Sequence, residues 1–165
     1  MKRIILAVFM MAALLTAALG QSKPQQSSPA SGQAADAAAK EANAAIDRWS
    51  AAYSANDVEA VVNNYWPDAI LLGTKSPVIS IGSNAIKKYF TDLKLQGSGN
   101  KNSIQERNSI PIDDHAVLVT GFYEFTRTQE GKPVPGPSRF TMLVTKRGNE
   151  WRIAHHHSSP HVLPQ

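Results

Sequence analysis

The clearest patterning in the chain lies near its C-terminus, in SRFTMLVTKRGNEWRIAHHHSS, residues 138–159. Arg139 to Lys146 is rich in Phe, Thr, Leu and Val, which suit a pleated, half-buried surface. Arg147-Gly148-Asn149-Glu150 carries turn chemistry, because Gly and Asn tolerate positive φ. Trp151 to Ser158 resumes the strand. A strict period of two puts Trp151, Ile153, His155 and His157 on one face, with Arg152, Ala154, His156 and Ser158 on the other. On the preceding strand Phe140, Met142 and Val144 oppose Arg139, Thr141, Leu143 and Thr145. Neither face is wholly apolar. That predicts a sheet with one face in a core and the other against a cavity or a subunit.

Upstream the period changes. Ala34 to Ser54 holds no Gly or Pro and many Ala, and reads as helix. Its core-facing part begins near Ala42, with Ala45, Ile46, Trp49, Ala52 and Tyr53 on one face. Asn56 with Glu59 resembles a capping box for a second helix carrying Val58, Val61, Val62 and Tyr65, ended by Pro67. Ala69 to Gly73 is a short strand, and Val78 to Ile81 is extended. Ser83 caps a third helix, Asn84 to Leu93, with Ile86, Tyr89, Phe90 and Leu93 inward. Lys101 to Ile110 alternates weakly. Ala116 to Gln129 is the longest strand, with Val117, Val119, Gly121, Tyr123 and Phe125 on one side and Gly121 marking a bulge or bend. Glu130 to Pro137, with its three prolines, reads as a hairpin loop. Helices first and hairpin-linked strands afterwards predict an α+β domain, with N-terminal helices packed on a curved antiparallel sheet.

The first 20 residues stand apart. Lys2 and Arg3 precede an apolar run from Ile4 to Leu19, and Ala18-Leu19-Gly20 has a small-x-small pattern. This reads as a secretory signal peptide at 1–20 and predicts a secreted or periplasmic protein with no stable membrane insertion after cleavage. The Gln-, Ser- and Pro-rich stretch that follows cannot offset its ordering entropy and reads as a disordered linker within 21–40. The folded domain is then 41–165.

The remaining composition mostly excludes. The 165-residue chain has a formal net charge of +4, with 17 basic and 13 acidic residues. Loss of Lys2 and Arg3 leaves about +2, too little to argue for nucleic acid. With no cysteine in the chain, thiol chemistry and cysteine-held metals are excluded. No phosphate-cradling glycine motif, nucleophile elbow or nucleotide fingerprint is present. No cofactor is expected.

The run W-R-I-A-H-H-H-S-S (Trp151 to Ser159), preceded by R-F-T and K-R-G and followed by V-L-P at Val162 to Pro164, resembles the association domain of calcium/calmodulin-dependent protein kinase II and its small bacterial relatives. A-N-D-V-E-A (Ala55 to Ala60) and G-S-N-A-I-K-K-Y-F-T-D-L (Gly82 to Leu93) are similar to two further motifs of that family. The resemblance spans Ala42 to Gln165. It implies the cone-shaped fold of the nuclear transport factor 2-like (SnoaL-like) superfamily, a pocket, and assembly into homodimers or higher oligomers. Those association domains bind small carboxylates through pocket arginines. Met142 and Ser158 stand where two such arginines occur, which leaves Arg139 or Arg127 to meet an anion.

The expected pocket residues are Trp49, Tyr53, Tyr89, Tyr123, Arg139, His155 and His157. The aromatics suit a wall. A lone cation on an apolar strand must reach water, a carboxylate or a bound anion, which singles out Arg139. The ligand would be small and anionic or aromatic. His155 and His157 on one face lack a third ligand nearby, so no metal is assigned. Two functions follow: a non-catalytic binding and oligomerisation domain, or a cofactor-independent isomerase, dehydratase or cyclase drawing its acid and base from Tyr53, Tyr123, Glu124, His155 and His157.

Overall fold

The computed structural model describes residues 29–95 and 98–162. The signal-peptide reading at 1–20 and the first part of the linker lie outside the described residues. The long first helix, α1 (Pro29–Ser54), begins inside the span read as linker. Its buried residues Ala38, Ala42, Ala45, Ile46 and Trp49 recur at spacings of three and four, so the core-facing stripe starts one turn before Ala42.

Asn56, at φ 58, closes α1 in the left-handed region, and Asp57 rather than Asn56 caps α2 (Val58–Asn63) by accepting from the Ala60 N–H. The second helix is also shorter than its apolar pattern suggested. Tyr65 and Pro67 belong to β1 (Tyr65–Leu72), which pairs with β2 (Ser80–Ile81). Val78 and Ile79 stay outside the sheet and are exposed. The third helix, α3 (Gly82–Leu95), buries Ile86 and Phe90. Four long strands follow: β3 (Ser98–Pro111), β4 (Ala116–Gln129), β5 (Lys132–Arg147) and β6 (Glu150–Pro160).

The six strands lie in the order β2-β1-β6-β5-β4-β3 and form a curved, unclosed sheet with the helices against its concave face. Every pairing is antiparallel except β1 with β6, which is parallel because the chain crosses through β2, α3 and three strands before returning. Val117, Val119 and Tyr123 of β4, Phe140, Met142 and Val144 of β5, and Trp151 and Ile153 of β6 face the helices. Ser50 and Ser54 of α1 tie to Asn102 of β3, and Arg107 forms an ion pair with Asp47.

Bulges bend the sheet. In β3, Ile104 faces Tyr123 and Glu106 faces Phe122, so Gln105 is extra. Gly121 sits beside this bulge, where a Cβ would run into the Glu106 carbonyl oxygen. In β6, Ile153 faces Val144 and His155 faces Leu143, so Ala154 is extra.

The stretch Glu130 to Pro137 is not a loop. Only Glu130 and Gly131 turn, at φ 51 and 76, and β5 begins at Lys132 despite three prolines. Pro133, Pro135 and Pro137 alternate. The Pro137 carbonyl accepts from the His161 N–H, on the side away from β4. The missing N–H groups therefore all face away from β4, whose ladder with β5 is unbroken.

Candidate functional site

A cavity of about 220 Å³ opens between the helices and the concave face. Trp49 and Tyr53 of α1 and Tyr89, Phe90 and Leu93 of α3 form one wall. Phe125 and Arg127 of β4, the proline-rich start of β5 and His156 of β6 form the other. Leu71, Gly73, Thr74 and Lys75 close the side where β1 ends. Tyr53 stacks on Trp49 with ring centroids 5.7 Å apart. Among the described residues, Lys75 and Arg127 are the charged residues of the lining, and it contains no carboxylate.

His156 is the polar centre. It is 2% exposed and packs edge-on against Trp49 at 5.2 Å. Its Nδ1 lies 2.7 Å from the Tyr65 hydroxyl and its Nε2 3.2 Å from the Tyr123 hydroxyl. Tyr123 donates to Ser158 Oγ at 2.5 Å, and the Ser158 and Thr74 hydroxyls are in contact. An enclosed hydroxyl or imidazole without a partner costs about 1–3 kcal/mol, so the chain of contacts is what makes burial of these groups tolerable. Burial, reinforced by His155 and His157, pushes the His156 pKa down to about 3. The ring is neutral at ordinary pH. Burial likewise raises Tyr65 and Tyr123 well above the usual phenol range. Tyr53, through burial and then Tyr89, and Tyr89, through burial, are both pushed up to about 12.

The expected pocket residues separate into three groups. Trp49, Tyr53 and Tyr89 lie in the cavity wall. Tyr123 stands one layer behind it, holding His156 and Ser158. Arg139, His155 and His157 lie on the opposite, convex face of the sheet. Arg139 is exposed at a position paired with Phe122 and Ser159, so water satisfies its charge. The two histidines are displaced by the extra residue Ala154, which reverses the alternation: Trp151 and Ile153 point inward, then His156 and Ser158 do. Three identical residues in a row hide that shift, and no turn or glycine marks it. Glu124 falls between Tyr123 and Phe125 on the strand and does not line the cavity. Lys75, Arg127, Thr74 and Ser158 complete the site. Of these Arg127 was named from the sequence, through the resemblance, as a cation that could stand in for the arginines absent at Met142 and Ser158.

Asp113, Asp114 and His115 bring their ligand atoms within 4.8 Å of one another in the β3–β4 turn, but all three are exposed. Asp113 accepts the His115 backbone N–H and Asp114 pairs with its ring, which accounts for the cluster locally.

An open, curved sheet folded over a long helix around a small aromatic cavity defines a domain of the nuclear transport factor 2-like class. The chain belongs to the SnoaL-like domain family, whose model it matches over residues 42–163. It is 30% identical to a Xanthomonas campestris protein assigned as a calcium/calmodulin dependent protein kinase II association domain, with a TM-score of 0.66 over 87% of this chain and 98% of that one. A ketosteroid isomerase-like protein from Erwinia carotovora atroseptica shares the fold at 20% identity and a TM-score of 0.64, covering 76% of this chain and 97% of its own. A Streptomyces avermitilis protein of the NTF2-like family, assigned as a dehydratase, shares it at 13% identity and a TM-score of 0.69, covering 78% and 99%. Curated protein sequences give no match.

Proposed function

We propose that the protein is an exported, non-catalytic module that binds a small aromatic, anionic molecule and self-associates through the convex face of its sheet. The observation that carries the ligand reading is the composition of the cavity wall among the described residues: stacked aromatics, two cations and no carboxylate. Aromatic walls fit a planar apolar body, and Lys75 with Arg127 favour a negative group on it. An isomerase or dehydratase would need a base whose pKa lies near the working pH. His156 is neutral, has both nitrogens engaged, and is held at about 3. Binding is therefore the better-supported activity.

Self-association is supported by one row of the convex face. Ile81, Ile70, His155, Leu143, Leu118 and Ile110 are successive partners across all six strands. Ile81, Ile70 and Ile110 are 64%, 37% and 50% exposed. Such a row, apolar but for His155, fits a second copy of the same chain, the similarity to a protein assigned as an association domain supports that partner, and a twofold contact would bury the row in both copies at once. Export rests on the N-terminal pattern alone.

Native mass spectrometry of the protein recovered from its own cells reads both properties together. The expected species is an even-numbered oligomer that retains a small anion, which an Arg127→Ala, Lys75→Ala variant loses. A ligand-free monomer would sink the proposal.

A further inference from the structure

A second hollow adjoins the cavity. It measures about 390 Å³ and lies between the segment from Lys75 to Ser80 and α3. Lys75, Tyr89 and Leu93 line both spaces, and Tyr89 is the only ring among the three. The end of that ring presses on Gly73, where a Cβ could not fit. The side chain therefore reaches from α3 to the end of β1 and forms the partition between the two spaces. Packing holds it there, edge-on against Phe90 at 5.1 Å. Among the described residues nothing hydrogen-bonds its hydroxyl, and burial alone raises its pKa. A ring held only by packing can change rotamer without breaking a polar contact, and such a change joins the two spaces.

The hollow behind the partition is a built groove. The Ser76 N–H donates to the Gly73 carbonyl and the Ser76 hydroxyl to the Val78 carbonyl, which fixes the segment that forms one bank. Pro77, Val78, Ile79, Ala85 and Leu93 make its surface largely apolar. Val78 and Ile79 are 67% and 57% exposed, and neither belongs to the core. Its charged residues besides Lys75 are Lys88 and Asp92, which pair with each other. Arg127 lines the cavity and not the groove. An anionic group is thus favoured on the cavity side of Tyr89, and an apolar one beyond it.

We propose that the ligand is an aromatic acid bearing an extended apolar arm, and that Tyr89 is a specificity-determining residue that yields to admit the arm into the groove. This rests on the ligand-binding reading above and adds the length and polarity of the ligand's far end. Continuity with the cavity is what assigns the groove to the arm. Covering Val78 and Ile79 removes apolar surface from water, and the arm carries no charge to be stranded there.

The test uses the full chain and two probes, benzoate and 4-pentylbenzoate, which share ring and carboxylate and differ in the arm. Calorimetry reads affinity, and stopped-flow tryptophan fluorescence reads association. The expected result is that 4-pentylbenzoate binds roughly tenfold more tightly than benzoate. A Val78→Ser, Ile79→Ser variant, altered only at exposed positions, loses most of that advantage and binds benzoate as before. Tyr89→Leu speeds association of 4-pentylbenzoate relative to benzoate; should it fail to fold, the groove variant still decides. Equal affinities for the two probes overturn the inference. So does an advantage that survives in the Val78→Ser, Ile79→Ser variant, and if that variant also becomes monomeric, the groove belongs to a second copy of the chain. In those cases benzoate binding persists and the cavity remains a binding site. If the wild-type protein binds neither probe, the ligand-binding reading fails and the Tyr89 assignment fails with it.

Discussion

Ile153 and His156 share one face of β6 although they lie three positions apart. A regular strand would set them on opposite faces. The extra residue Ala154 absorbs the difference and brings a single histidine, the middle one of three, into the interior. The polar centre of the domain depends on that one inserted position.

The first prediction concerns which histidine matters. His156→Ala removes a buried ring and strands the Tyr65 proton, and should cost about 3–5 kcal/mol of unfolding free energy. His157→Ala, at an exposed position, should change it by no more than about 0.5 kcal/mol. Urea denaturation of the two variants decides. Equal effects would mean that Ala154 does not shift the strand.

The same ring predicts how stability depends on pH. The His156 pKa is pushed down to about 3 in the folded protein from an ordinary 6.5. The unfolded chain takes up a proton as pH falls below 6.5, and the folded chain does so only near 3. The contribution is therefore complete above 6.5 and lost as pH falls, at about 1.4 kcal/mol per pH unit. Between pH 7 and 5 the wild type should lose on the order of 2 kcal/mol more than His156→Gln, in paired denaturation curves. Parallel curves would refute a buried neutral imidazole.

Two glycines in the sheet should respond differently to alanine. At Gly121 the added methyl meets the backbone of Glu106 and Arg107 beside the β3 bulge, which can move only by parting the strands. About 2–4 kcal/mol should be lost. At Gly136 the nearest atoms are 3.4 and 3.8 Å away, ordinary contact, so Gly136→Ala should be close to neutral. Thermal unfolding of both variants is a direct comparison.

Gly73 offers a way to fill the cavity from behind. A Cβ there collides with the Tyr89 ring, a side chain that can swing aside, and Tyr89 forms part of the wall. Gly73→Ala should keep the fold while weakening binding of a small aromatic carboxylate such as benzoate at least tenfold. Undiminished binding in calorimetry would show that Tyr89 moves outward instead.

The convex row predicts a separation of assembly from folding. Leu143 lies in the middle of that row and is only half-buried. Leu143→Glu should shift the protein to monomer in analytical ultracentrifugation and leave its circular dichroism unchanged. An unaltered oligomer would exclude this face as the contact.

Helix faces and strand alternation were legible from side-chain spacing wherever the backbone is regular. Ala45, Ile46 and Trp49, Ile86 and Phe90, and Val117, Val119 and Tyr123 all lie on the predicted inward faces. The errors fall where an inserted or missing backbone group decides. Period-two counting has no means of seeing Ala154, since its neighbours offer the same side chain in either phase. Three prolines suggested a loop because proline removes an N–H, yet removal is harmless where no partner strand asks for one. The parallel pairing of β1 with β6 joins residues 85 to 88 positions apart, from Ile70 with His155 to Tyr65 with Ile153, and nothing local encodes it. Pocket aromatics on α1 and α3 followed from helix periodicity, whereas Thr74 and Ser158 gain their place only through Tyr123 and His156.

Those same prolines have a consequence for the protein's behaviour in a crowded solution. An exposed strand edge is hazardous because its N–H groups invite a strand from another molecule. Along the first six residues of β5 every backbone nitrogen on the free side belongs to Pro133, Pro135 or Pro137, and the carbonyl of the last is already taken by His161. A foreign strand arriving there finds no donor to grip. The margin beside the cavity mouth can stay open to small molecules without becoming a seed for aggregation.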